Sequence, residues 1–286
     1  MIDRMRNEAN SERKLRIGAV SYLNSKPLIE GLALLVPEAE LVLDFPSRLA
    51  DDLGRGQLDV ALIPSVEAFG DPDYVVVSDA CVATRGPVMS VKMYSRVHPG
   101  EIRTLALDEG SRTSAALVQV MLSERYGVRP RLEPFRLGQD IGEVRSDAIL
   151  MIGDRAMHSP TDSFHTVWDL GEEWLNWTGL PFVFAMWVAR KETNLGTIEN
   201  ALCVARDRGE RMLEAIAQRE APGLKLPTGV AFDYLQHNLH FRIGSAERHA
   251  LRLFHQLAAE LGLAPPGELA FRDGTDSEME LLTSST

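Results

Sequence analysis

Leu15-Arg16-Ile17-Gly18-Ala19-Val20-Ser21-Tyr22-Leu23-Asn24-Ser25-Lys26-Pro27-Leu28 starts apolar and turns polar after Val20. The run 15–20 reads as a short buried strand. Pro27, followed by Leu28, Ile29, Leu32 and Leu35, reads as the opening of an amphipathic helix. Ser21, Asn24 and Ser25 therefore fall in a strand-to-helix loop, beside a helix N-terminus whose free N–H groups attract anions. In an open α/β sheet, the loops at the carboxyl ends of strands are where ligands sit. The stretch thus points to a small acidic ligand, although ordinary turn and cap chemistry uses the same residue types.

Working outward, short apolar strand candidates lie at 41–45, 60–63, 74–77, 88–94, 104–107, 148–152 and 182–188. Helical patterns lie between them at 27–35, 47–53 and 112–126. This alternation predicts an α/β architecture with largely parallel sheets. The last third is helical in pattern at 195–219, 228–240 and 246–261, with Leu253, Leu257 and Leu261 forming an apolar stripe that reads as core. From residue 264 onward, Pro265-Pro266-Gly267 and a run of acids and hydroxyls predict a fraying tail. A central block carries strands and helices of its own, and the strand-like segments 88–96 and 182–190 on either side of it could pair. The layout is two lobes, 14–98 with 182–286 and an inserted 99–181, around a cleft that hinge motion could close. Residues 1–13 read as a disordered leader.

Composition bounds the partners. Of the 286 residues, 45% are hydrophobic and 25% charged, as in ordinary globular proteins, and the formal net charge of −11 argues against nucleic acid or an anionic membrane surface. The polar opening lacks the apolar core of a secretory signal. Cys81 and Cys203 fit a reducing compartment, so a cytoplasmic protein is expected. The histidines are scattered, and His237 and His240, which would share a helix face, lack an obvious third ligand; no metal is expected. Walker, dinucleotide-binding and nucleophile-elbow motifs are absent, and nothing calls for a cofactor. Oligomeric state is left open.

Four loops would line the cleft. Ser21 and Asn24 form the first. Arg85-Gly86-Pro87 forms the second, where glycine allows close backbone approach. In the third, Asp108-Glu109-Gly110-Ser111-Arg112-Thr113-Ser114, Ser111 is a natural N-cap. There, hydroxyls, free N–H groups and the Arg112 guanidinium could together grip a carboxylate. The fourth joins Ile152-Gly153-Asp154 to Trp177-Thr178-Gly179-Leu180-Pro181. Asp154 is a candidate general base, although capping is the commoner use of such an aspartate. Trp174 and Trp177 are expected to pack between the lobes.

Taken in order, these segments resemble the MqnA-type chorismate dehydratases of the futalosine route to menaquinone. The resemblance rests on Val20-Ser21-Tyr22-Leu23-Asn24-Ser25-Lys26-Pro27-Leu28, Ala61-Leu62-Ile63-Pro64-Ser65-Val66-Glu67 and Arg85-Gly86-Pro87-Val88 with Ser90-Val91. It continues through Leu107-Asp108 with Ser111-Arg112-Thr113-Ser114, Ile152-Gly153-Asp154, and Trp174 with Thr178-Gly179-Leu180-Pro181-Phe182-Val183-Phe184-Ala185. It implies a type 2 periplasmic-binding-protein-like fold of two α/β lobes. It also implies a reaction, the loss of water from chorismate to give 3-[(1-carboxyvinyl)oxy]benzoate, with no cofactor. On this resemblance, Asn24, Ser21 and Asp154 are the catalytic candidates. Arg85, Gly86, Ser90, Ser111, Arg112, Thr113, Ser114, Gly153, Thr178 and Gly179 are the substrate-binding ones. The base is either the substrate's own side-chain carboxylate or a protein carboxylate, Asp154 or Glu67. Two rivals stand beside this reading: a cytoplasmic binder or sensor of a small acid, and the sister enzyme that forms a naphthoate two steps later.

Overall fold

The computed structural model describes residues 13–158 and 164–272. The leader expected at 1–13, apart from Arg13, and the end of the tail lie outside the described residues. In chain order the elements are β1 (Arg16–Val20), a 3-10 turn (Leu23–Ile29), α1 (Leu32–Leu35), β2 (Glu40–Asp44), α2 (Pro46–Gly54), β3 (Val60–Pro64), α3 (Ser65–Ala68) and β4 (Tyr74–Thr84). Then follow β5 (Val91–Ser95), β6 (Thr104–Asp108), α4 (Thr113–Tyr126), β7 (Arg131–Phe135), β8 (Ala148–Ile152), β9 (Thr166–Asp169) and α5 (Leu170–Thr178). The chain closes with β10 (Phe182–Arg190), α6 (Ile198–Arg211), α7 (Leu213–Leu224), α8 (Thr228–Asp233), a π-helical turn (Tyr234–Asn238), β11 (His240–Arg242) and α9 (Ser245–Glu260).

These strands form two mixed sheets, ordered β11-β4-β10-β3-β1-β2 and β7-β6-β8-β5-β9. β3 (VALIP) and β8 (AILMI) are buried along their whole length, as unbroken apolar strands inside a covered sheet should be. The chain leaves the first sheet after β4 and returns to it at β10, so two short segments, 85–90 and 179–181, join the lobes. The expected pairing of 88–96 with 182–190 is not formed. β5 instead runs antiparallel between β8 and β9, and β10 runs antiparallel between β3 and β4. The second sheet therefore starts at Val91, earlier than the sequence layout placed it.

Both joining segments are tied down. The Asp169 carboxylate, at the N-cap of α5, accepts the N–H groups of Val88 (2.8 Å), Met89 (2.6 Å) and Gly171 (3.0 Å). The π-helical turn adds Asn238 Nδ2, which donates to the Pro87 carbonyl at 2.9 Å. On the return segment, Trp174 Nε1 donates to the Pro181 carbonyl at 3.0 Å, and its buried ring meets Phe182 edge-on at 5.2 Å. Trp177 joins the same cluster, as expected of aromatic inter-lobe packing.

The predicted helix at 27–35 is instead the 3-10 turn followed by one α-helical turn. Pro27, inside the 3-10 turn, lacks an N–H to donate and disfavours regular helix around it. Helix α6 presses directly on that turn: a Cβ on Gly209 would lie 2.0 Å from the Pro27 carbonyl oxygen. The tail also departs from expectation. Residues 270–272 bridge to β4, with the Val76 N–H donating to Ala270 and the Arg272 N–H donating to Val76, both at 2.9 Å. Arg272 then donates to the carbonyls of Arg190, Lys191 and Thr193.

Candidate functional site

The carboxyl ends of β1, β3, β6 and β8 converge on one cleft between the sheets. From the first lobe come Val20, Tyr22, Asn24, Pro64, Val82, Phe184 and Ala185. From the joining segment and the second lobe come Val88, Ser90, Gly110, Ser111, Arg112, Thr113, Ser114, Ile152 and Gly153. The walls are mostly apolar with a few convergent polar groups, the usual make-up of a small-molecule site. The free space between them is about 50 Å³, against roughly 300–1,000 Å³ for typical ligand pockets.

Two polar atoms in the lining stand out. Asn24 Oδ1 and Ser111 Oγ are buried without a hydrogen-bond partner, one on each side of the cleft. A buried polar atom left unpaired costs about 1–3 kcal/mol. The expected capping role of Ser111 is not observed. Arg112 occupies the N-cap position of α4, and no side chain caps this fourteen-residue helix. Ser111 and the first-turn residues Thr113 and Ser114 line the cleft, and helix N-termini in general attract anions. Ser90, at the other end of the cleft, accepts a 2.8 Å hydrogen bond from the hydroxyl of fully buried Tyr234, which also neighbours the Asn24 amide.

Tyr22 spans the lobes. Its ring lies over Gly153, where φ is +73° and an added Cβ would come within 2.6 Å of the ring, and its hydroxyl approaches Gly110. Burial, then the nearby Asp108, push the Tyr22 phenol upward, so it stays neutral and available as a donor. Asp108 is buried and paired with Arg155 at 2.5 Å, and it also accepts the Gly110 and Ile152 N–H groups.

Several expected contacts lie elsewhere. Arg112 lines the cleft, but its guanidinium is engaged by Asp51 (2.7 Å) and Glu67 (3.1 Å) of the first lobe. Glu67 is thereby occupied as well. Thr113 Oγ1 accepts the Val66 N–H at 3.2 Å and so ties the lobes together. Arg85 and Gly86 do not line the cleft. Arg85 turns to Glu247 on α9 at 2.9 Å, and the Gly86 carbonyl accepts from Thr84 Oγ1 while packing against Gly171. Thr178 and Gly179 form the end of α5: the threonine hydroxyl donates to the Trp174 carbonyl, and Gly179 takes the left-handed conformation, φ +71°. Ser21 stands outside the lining, its N–H on the Asp44 carbonyl. Asp154 also stands outside it, and its carboxylate accepts the Leu23 N–H at 3.1 and 3.4 Å. Burial, partly opposed by that N–H and by Lys26, pushes the Asp154 carboxyl up to about 6.

Sequence reasoning passed over Tyr22 and Tyr234 as site residues. Tyr22 was legible as the aromatic inside the polar loop. Tyr234 carries no local signal, since its partner Ser90 is 144 residues away.

A family profile described as menaquinone biosynthesis matches residues 15–260. A chorismate dehydratase of Thermus thermophilus is 31% identical over 269 residues, covering 86% of this chain and 95% of that protein. Among solved structures, a protein from Archaeoglobus fulgidus superposes with a TM-score of 0.71 at 16% identity, covering 88% of this chain and 99% of that one. The alkanesulfonate-binding protein SsuA from Xanthomonas axonopodis, bound to MOPS, superposes with a TM-score of 0.58 at 13% identity, covering 88% and 94%. These likenesses show a periplasmic-binding-protein-like fold of two lobes around a cleft.

Proposed function

The chain belongs to the menaquinone biosynthesis family, and we propose that within it this protein is a chorismate dehydratase, forming 3-[(1-carboxyvinyl)oxy]benzoate and water in the cytoplasm. The observation that carries the reading is the pair of unpartnered atoms, Asn24 Oδ1 and Ser111 Oγ, facing an uncapped helix N-terminus in an inter-lobe cleft. Chorismate offers complements to each: two carboxylates, a ring 4-hydroxyl and an enolpyruvyl ether at ring carbon 3.

Loss of the carbon-3 proton and the 4-hydroxyl makes the ring aromatic, so the difficulty is kinetic and lies in removing the proton. Carbon 3 is vinylogous to the ring carboxylate, and negative charge developing there spreads onto the carboxylate oxygens. Donors aimed at those oxygens bind the transition state more strongly than the substrate, at about 3–4 kcal/mol for one such donor. In this reading the start of α4, with Ser111 and Ser114, takes this role. Ser90 would take the second carboxylate, and Asn24 Oδ1 would accept from the 4-hydroxyl and orient it. Asp154 and Glu67 are both engaged with protein partners, which favours the substrate's enolpyruvyl carboxylate as the base. The proton it takes from carbon 3 passes to the departing hydroxyl, which leaves as water. The apolar walls exclude bulk water while this happens.

The test incubates purified protein with chorismate and follows mass and ultraviolet absorbance. An aromatic product lighter by one water, abolished in Asn24→Ala while chorismate still binds, supports the reading. Intact chorismate that nonetheless raises the unfolding temperature makes the protein a binder or sensor. No reaction and no protection discards chorismate, and the sister reaction is then tested with its own nucleoside substrate.

A further inference from the structure

We infer that Asp154 is a positioning residue, a latch that holds the lobes together and sets the turn carrying Asn24 only when they are closed. Asp154 follows β8 in the second lobe, and its carboxylate reaches across to the Leu23 N–H in the first. Leu23 lies between Tyr22 and Asn24 at the start of the 3-10 turn, so this one contact grips the backbone at the point from which both cleft side chains project. The groups facing the carboxylate fit a latch better than a base. They are the Leu23 N–H, Lys26, Glu220, which lies 3.9 Å from Lys26, and His158, with the Tyr22 and Tyr234 phenols also near enough to feel its charge. Of these only Tyr22 belongs to the cleft lining, and it is a neutral phenol. His158 itself reaches the Leu224 carbonyl at 3.0 Å, so the segment that carries Asp154 meets α7 as well.

The inference rests on the reading that turnover occurs in this cleft, but its first readout does not. Closure leaves about 50 Å³ between the walls, so the free protein must open to admit ligand, and the latch biases that equilibrium. Losing one charge-assisted hydrogen bond shifts the balance toward open by about tenfold or more. Binding to a closed state populated less often raises the apparent dissociation constant by the drop in the closed fraction, which is at most that factor. Asparagine keeps an acceptor oxygen for Leu23; alanine has none.

The experiment compares Asp154→Ala and Asp154→Asn with wild type in the full chain, using small-angle scattering without ligand and steady-state kinetics with chorismate. Expected is a larger radius of gyration and a KM raised by up to about tenfold for Asp154→Ala, with Asp154→Asn returning both toward wild type. Asp154→Val, which likewise offers no acceptor, serves if the alanine variant does not fold. Equal collapse of kcat in the asparagine and alanine variants with unchanged KM overturns the latch and makes Asp154 the base. An unchanged radius of gyration in Asp154→Ala also overturns it. Wild type that turns over no chorismate refutes the proposed function, while the scattering comparison still decides the latch.

Discussion

Ser111→Ala should stabilise the free protein and weaken its function at the same time. Ser111 Oγ is buried with no partner, so the folded chain carries its desolvation cost, about 1–3 kcal/mol. Removing the hydroxyl removes that cost and leaves a small methyl at a wall that needs no larger group. For a chain of this length each kcal/mol is worth roughly 2–4 °C, so the unfolding temperature should rise by a few degrees. The same deletion removes a donor to a bound carboxylate, worth about 1.5–3 kcal/mol, or roughly 10–100-fold in kcat/KM. The assay pairs thermal unfolding without ligand with chorismate turnover. Saturating chorismate should narrow the stability difference, because ligand stabilises wild type more than the variant. An alanine variant that is less stable than wild type while losing no activity would refute the argument that the orphaned hydroxyl awaits a ligand.

Three further outcomes are expected. Asp154 sits at about 6, above its ordinary 3.8; stability from its protonation is full below the ordinary value and lost as pH rises through about 6. Asp154→Asn should therefore gain about 1–3 kcal/mol over wild type between pH 4 and pH 7, at about 1.4 kcal/mol per pH unit with a discount for partial exposure, and a pH-independent difference in urea unfolding would contradict this. Gly209→Ala, although favourable for an exposed helix, should destabilise by about 1–3 kcal/mol because its Cβ meets the Pro27 backbone, read from the denaturation midpoint; a stabilised variant would show that α6 yields. Arg112→Met should raise KM by less than about tenfold, because Asp51 and Glu67 already hold the guanidinium and such part-exposed pairs are worth up to ~1 kcal/mol; a hundredfold loss would mean that Arg112 leaves them for the substrate.

Much of the fold was legible where one element declares itself. β1 and its loop, the unbroken runs of β3 and β8, and helix α4 follow from local pattern. Strands β7 and β11 did not, the first because Pro134 and exposed side chains disguise an edge strand, the second because three residues carry no period. The partners of 88–96 were misread because strand pairing is decided between distant segments, and two apolar runs flanking an insertion can each find other neighbours. In the cleft, Asn24, the 111–114 segment and Gly153 were legible as polar or glycine positions at strand ends, while Ser90, inside the expected strand 88–94, entered only through the family resemblance. Arg85 was not, since Glu247, which captures it, lies 162 residues onward.

The strip of tail laid along β4 matters for solubility more than for chemistry. Residues 270–272 satisfy the backbone of Val76, Arg248 stacks on Phe271 at 3.8 Å, and β11 pairs along the other half of the same strand, at Ala80 and Ala83. A chain cut after Leu263 would keep every residue of the cleft and both joining segments. It would also bare the backbone of β4 at Val76, whose freed amide and carbonyl invite a second molecule to pair there. Such a truncation would be lost to precipitation in the tube while each surviving monomer still carried an intact cleft.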